Sequence, residues 1–262
     1  MKRTFLKSVC LVLLWCGLIL QATAQGIVVN KKDGTKVYYK ASEVLSVGVY
    51  GYGEEPEPAL SDHECVDLGL PSGTLWATCN VGAEKPEDYG DYFAWGETIG
   101  YNGGKTTFNW STYKYCSGSS TTIRKYCISS SYGTVDNKTE LEPADDAATV
   151  NWGSDWQMPS LDQLKELINS SYTTTEWTTI NGVRGRKITS KSNLKSIFLP
   201  AAGYRNDASL SNIGSGGRYW SRSLYASNSA DGCSLYFDSS GIYTGSGSRC
   251  YGRSVRPVRV QK

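Results

Sequence analysis

The sequence predicts an α+β domain of short twisted antiparallel strands, one or two helices and long loops, preceded by a small β hairpin unit. Three observations carry this. Beyond residue 65 the chain reads as short β-branched and aromatic runs separated by Gly, Ser and Asn, a pattern of strands and turns. Only residues 160–169 combine apolar residues at full helical spacing with a capping signal. No period of about 20 to 50 residues repeats, which argues against a solenoid or propeller.

In chain order, Lys2, Arg3 and Lys7 precede an apolar run from Val9 to Leu20, and Ala22-Thr23-Ala24 supplies small residues for cleavage. Residues 1–24 are therefore expected to be a secretory signal peptide, the run being too short to span a bilayer. Residues 25–50 alternate around Asp33-Gly34, a hairpin dipeptide, and read as a small β unit. Residues 51–64, rich in Gly, Pro and acids, read as a linker. In the main domain, residues 65–262, Val66–Leu70 and Thr74–Val81 flank the turn Pro71-Ser72-Gly73. A short helix is expected near Pro143–Val150, with Asp145 and Asp146 suited to its first turn. Ser160 and Gln163 form a capping box for a helix reaching about Asn169, with Leu161, Leu164, Leu167 and Ile168 on its apolar face. Asn181-Gly182 marks a turn, and Ile197–Leu199, Tyr219–Tyr225, Ser234–Phe237 and Ser254–Val260 complete the strands.

Composition narrows the chemistry. His63 is the only histidine, so His-activated nucleophiles would have to use it and His-rich zinc sites cannot be built. Gly104-Lys105-Thr106 resembles the end of a phosphate loop, but Ile99 stands where the first glycine is required. Beyond the signal segment no apolar stretch reaches about 18 residues, so no transmembrane span is expected in the mature chain.

Several segments resemble the Fibrobacter succinogenes major paralogous domain family: VDLGLPSGTLWATCNVGA (66–83), YGDYFAWGE (89–97), SSYGTVDNKTELEPADDAATVNWGSDWQMPS (130–160), SIFLPAAGYR (196–205), YWSRSLY (219–225), CSLYF (233–237) and YGRSVRPV (251–258). They cover Cys65 to about Val260. The resemblance implies a C-type-lectin-like fold in exported proteins of gut bacteria, secreted or at the outer surface, with the periplasm an alternative. The calcium-dependent sugar motif of true C-type lectins is not carried over, because Glu142-Pro143-Ala144 lacks the amide ligand. Nor do Cys233 and Cys250, 17 positions apart, match the copper-binding pair of the related formylglycine-generating enzymes.

Six cysteines remain after residue 24, and an oxidising compartment would favour pairing. The candidate pairs are Cys233 with Cys250, which a strand–turn–return would bring opposite each other, Cys116 with Cys127, and Cys65 with Cys79. Charge is divided unevenly: residues 182–262 hold 13 Lys and Arg against three acids, whereas residues 25–181 hold 11 bases against 22 acids. One reading is a basic face for an anionic partner; the other is mutual neutralisation within one domain. Export makes nucleic acid a poor partner.

Aromatic residues are abundant, with eight Trp and 18 Tyr, and rings in variable loops suit stacking on sugars. Tyr204, Arg205, Asn206, Asp207, Arg218 and Asn228 are the candidate ligand-binding residues, because they occupy Gly/Ser/Asn-rich segments. Asp145 and Asp146, with Glu140, Glu142 and Asp155 nearby, are weak calcium candidates without the spacing of a dedicated loop. No cofactor and no catalytic constellation is expected. The function expected is a non-catalytic binding protein for glycan or glycoprotein at the cell surface. The alternative is a structural or assembly subunit of a surface appendage or complex.

Overall fold

The computed structural model describes residues 19–23, 26–30, 35–40 and 63–260, which divide between two units, residues 1–60 and 61–262. In the first unit, strands β1 (Ile19–Thr23), β2 (Gly26–Asn30) and β3 (Lys36–Lys40) form an antiparallel sheet in the order β1-β2-β3. The expected hairpin is β2 with β3, in register from Gly26↔Lys40 to Asn30↔Lys36, while Asp33-Gly34 lies outside the described residues. The cleavage point expected after Ala24 also lies outside them, as does the linker up to residue 62.

The second unit is mostly antiparallel β with two short α-helices among its described residues. Strands β4 (Cys65–Asp67), β5 (Thr74–Ala77) and, from far along the chain, β14 (Val258–Val260) form one sheet, with Trp76 opposite both Val66 and Val258. A second sheet is β6 (Thr173–Ile180), β7 (Val183–Ser190) and β8 (Ser196–Pro200). Strands β9 (Tyr204–Asn206) and β10 (Ser209–Ser211) make a small hairpin. The last sheet is β11 (Gly216–Leu224), β12 (Asp231–Asp238) and β13 (Ile242–Ser248).

Local chemistry accounts for the helices. In α2 (Leu161–Leu167) the Ser160 hydroxyl accepts from the Gln163 amide at 3.1 Å and the Gln163 side chain accepts from the Ser160 amide at 2.8 Å. The helix stops before Asn169 because that residue's carbonyl accepts from Tyr172 and Thr173 in a turn. Helix α1 (Ala147–Trp152) starts on Asp146, whose carboxylate caps the amides of Ala148 and Thr149; Asp145 lies just before it in a 3-10 turn. Asn181 and Gly182 take φ of 48° and 83°, the left-handed pair that a two-residue turn between β6 and β7 requires.

Two apolar clusters form the core, one around Trp95, Trp156, Phe93 and Phe108, the other around Trp76, Leu164, Leu167 and Ile188. The β11–β13 sheet contributes to both: Tyr219, Leu235 and Phe237 join the second cluster and Trp220 the first. Alternation along a strand explains this division, since successive side chains leave opposite faces. His63 is already engaged, its ring stacked on Trp152 at 3.6 Å.

Two expectations, about the cysteines and about the arginines of the C-terminal third, need correction. All six described cysteines are free thiols. Cys233 faces Ser246 across the β12–β13 ladder, so the hairpin does not set Cys250 opposite it, and the bridge partner of Cys116 is Ile123, not Cys127. Cys65 stands opposite Ala77, with Cys79 beyond the end of β5. Nor do the arginines of that third form one basic face. Arg186, Arg205, Arg249, Arg253 and Arg256 are buried. Arg256 donates to Asn80 and to the carbonyls of Ala77, Thr78 and Phe198; Arg249 donates to Tyr113 and to the carbonyls of Lys125, Tyr126 and Ser229. Loops and strand edges leave carbonyls unpaired in the interior, and a five-donor guanidinium satisfies several at once.

Candidate functional site

The β11–β12–β13 register places Arg218 opposite Tyr236, and Tyr236 opposite Tyr243. The three side chains therefore form one row across the sheet, on the face away from Leu235 and Phe237. Ser234 and Gly245, also opposite each other, continue this face. Two further segments close over it: β9 brings Tyr204, and the turn after β13 brings Tyr251 and Arg253.

Guanidinium–ring stacking holds the group together. The Arg218 guanidinium lies 4.6 Å from the Tyr204 ring centre and 4.7 Å from that of Tyr236, clasped between them. The Arg253 guanidinium lies over Trp220, 4.1 Å from the ring centre, and donates to the Ser234 hydroxyl at 2.6 Å. Tyr204 and Tyr251 are 5.8 Å apart. Gly247 leaves room for Arg253: a Cβ on it would come within 1.7 Å of the guanidinium, which would have to shift. At Gly245, by contrast, a Cβ would meet nothing within 4 Å, so the floor between Tyr243 and Arg253 is open.

Electrostatically the site is incomplete on its own. The Nε atoms of Arg218 and Arg253 are buried and have no hydrogen-bond partner, and neither residue is in an ion pair among the described residues. Burial first, and then the neighbouring Arg218 charge, push Arg253 down to about 9. An opposite charge nearby counters these effects, as Asp231 already does in part and as a bound anion would further, and planar guanidinium groups match carboxylate or sulfate edges. Tyr236 donates to Asp238 at 2.6 Å, which holds its phenol protonated above its ordinary range.

The structure divides the residues singled out from sequence. Tyr204 and Arg218 come together. Arg205, the next residue along, leaves the opposite face of β9 and is buried against Tyr101 at 3.2 Å and Tyr92 at 5.2 Å. Asn206 lies in the β9 ladder opposite Ser209, while Asp207, at φ 53°, exchanges backbone hydrogen bonds with Phe108 and accepts from Asn109 at 2.5 Å. Asn228 shapes a turn, accepting from the Ala230 amide at 2.8 Å and donating to Asp231 at 3.3 Å. These segments are thus ordered; Asp207 and Asn228 spend side-chain oxygens on the fold, whereas Arg205 is packed on rings with its Nε, like those of Arg218 and Arg253, without a hydrogen-bond partner. Tyr236, Tyr243, Tyr251 and Arg253 were missed as site residues. Alternation in Ser234–Phe237 was the available signal, since Leu235 and Phe237 inward force Tyr236 outward.

Calcium is also corrected. Asp145 is buried and accepts from Lys125 at 2.5 Å, Lys114 at 3.3 Å, Tyr126 at 2.6 Å and Tyr115. Burial alone would raise its carboxyl, but these donors, Lys125 foremost, hold it at about 2. Asp146 spends its oxygens on the amides of Ala148, Thr149 and Met158. No group of three metal-capable side chains is present among the described residues.

Residues 168–258 match a family described as a domain of unknown function (DUF8237). The matched stretch runs from the end of α2 to the first residue of β14 and contains every member of the arginine–tyrosine group. No curated protein and no solved structure matches the chain.

Proposed function

We propose that this chain is an exported, non-catalytic binding protein that recognises an acidic glycan or glycoprotein at the cell surface through the Arg218–Tyr236–Tyr243 row. Its main domain, on this reading, is C-type-lectin-like and of the Fibrobacter succinogenes major paralogous type that the sequence segments resemble. The observation that carries the reading is Arg218, held over the Tyr204 and Tyr236 rings without an ion pair among the described residues, with the positive charge of the buried Arg253 near it and the open Gly245 floor on the same face. Phenol rings offer flat apolar faces for sugar rings at little cost in side-chain entropy, and the guanidinium groups supply charge recognition.

The test is binding of the full chain to an array of neutral, sialylated and sulfated glycans and mucins, at low and high salt, for wild type and Arg218→Ala. Salt-sensitive binding to the acidic members that the variant loses is the expected result. A flat array overturns the glycan reading in favour of a structural or assembly role.

A further inference from the structure

The β11–β13 sheet ends differently on its two sides. Along β11 the outward main-chain groups are used: the Gly216 and Arg218 carbonyls accept from Gly203 and Ser254, and the Trp220 amide donates to Ser254. Along β13 most are not. The Asp238 amide donates to the Gly241 carbonyl, so the hydrogen-bonded pairs continue up the ladder as Tyr236↔Tyr243, Ser234↔Gly245 and Gly232↔Gly247. Ile242, Thr244, Ser246 and Ser248 therefore turn their N–H and C=O groups outward. The Ser248 carbonyl accepts from Tyr251, whereas Ile242, Thr244 and Ser246 have no main-chain partner on that side among the described residues. Native edges are blunted by charge, proline or a bulge, and β13 has none of these. The edge strand β6, by comparison, carries the exposed Glu176.

We infer that the β13 edge is an interaction surface whose occupant is the β13 edge of a second copy of this chain, paired antiparallel about a dyad at Thr244. The strand is self-complementary in that register. Thr244 faces Thr244, and Ile242 faces Ser246 on either side, so the free groups are consumed in three pairs that each exchange two bonds. Tyr243 of each copy then stands opposite Gly245 of the other. A Cβ at Gly245 would meet nothing within 4 Å, which leaves room for a neighbouring ring, and an aromatic across from an edge glycine covers the backbone that the glycine bares. No residue of β13 is charged, so no like charges meet at the seam. The two Arg218 side chains, on β11 of each copy, are five strand spacings apart, about 24 Å, well past a Debye length of about 8 Å.

The test is the mass of the full chain across a concentration series, by sedimentation velocity or light scattering. Wild type is expected to rise from one chain mass to two. Thr244→Pro removes an outward amide that β12 does not use, so it is expected to stay at one chain mass throughout while keeping the wild-type circular dichroism spectrum. A second variant gains a link instead of losing one. Thr244→Cys sets two thiols opposite each other across the dyad at a Cα separation of about 5.5 Å, within disulfide reach, and mild oxidation is expected to give a covalent dimer. Ser246→Cys, which faces Ile242, is expected to give no more than wild type does. A wild-type chain at one mass at every concentration overturns the inference. So does a dimer that Thr244→Pro leaves intact or that Thr244→Cys does not link, since either result gives the contact to another surface. Mass and linkage are the readouts, so the outcome is independent of glycan binding.

Discussion

Two kinds of arginine stand a few residues apart in the C-terminal segment, and they are used in opposite ways. Arg249 and Arg256 point into the interior and spend their donors on buried oxygens, Arg249 on loop carbonyls and Arg256 on Asn80, Thr78 and the strand carbonyls of Ala77 and Phe198. Arg253, between them in sequence, lies over the Trp220 ring with its Nε unspent, and Arg218 is clasped by two tyrosines in the same condition. The same side chain serves as internal scaffolding in one place and as a held but unsatisfied charge in the other. Counting arginines along the chain cannot distinguish these uses; counting hydrogen bonds can.

The comparison is sharpened most by removing a scaffold arginine. Arg256→Ala deletes a guanidinium with four hydrogen-bond acceptors and leaves buried carbonyls without donors, so a loss of about 3 kcal/mol or more is expected in chemical denaturation. A change below about 1 kcal/mol would erase the distinction. Arg218→Ala is expected to behave in the reverse sense, with stability within about 1 kcal/mol of wild type and at least about a tenfold loss of affinity for acidic glycan.

A third prediction concerns the acidic end of the first core cluster, where every oxygen is spent. The folded Asp145 carboxyl titrates at about 2, below its unfolded value near 3.8. Its contribution is therefore complete above about pH 4 and drains away as pH falls toward 2. Asp145→Asn should lower stability at neutral pH and flatten that acid limb in urea titrations; an unchanged limb would show that Asp145 does not set it. The smallest effect is expected at the rim. Tyr243, 55% exposed, touches the row from its end, and Tyr243→Ala should weaken binding by about two- to fivefold without altering the melting temperature.

Much of the scaffold was legible in the residues. The Ser160–Gln163 box, the Asp146 cap and the Asn181-Gly182 turn are local chemistry, and each appears where its side chains require it. Strand β13 was hidden because Tyr-Thr-Gly-Ser-Gly-Ser carries too few side chains for an alternating pattern. Its glycines are small for tertiary reasons: one admits Arg253 and one leaves the floor open. The segment around Tyr204 reads as a loop because Gly203, Asn206 and Asp207 are turn formers, yet ladder bonds to Phe108 and Gly252 make it a fixed hairpin. Two of the six site residues, Tyr204 and Arg218, could be chosen from sequence. Alternation could have put Tyr236 on the outer face, but which residues lie across from it depends on cross-strand register, which no local signal specifies.

The pairing of Trp76 with Val258 has a consequence for how this polypeptide comes into being. Strand β5 is translated early and finds one neighbour, β4, at once through a tight turn, but its other edge stays bare until β14 has emerged from the ribosome. The second hydrophobic cluster, which needs Val258 beside Trp76, cannot close before then. A nascent chain with this wiring keeps that cluster open until residue 258 has been made.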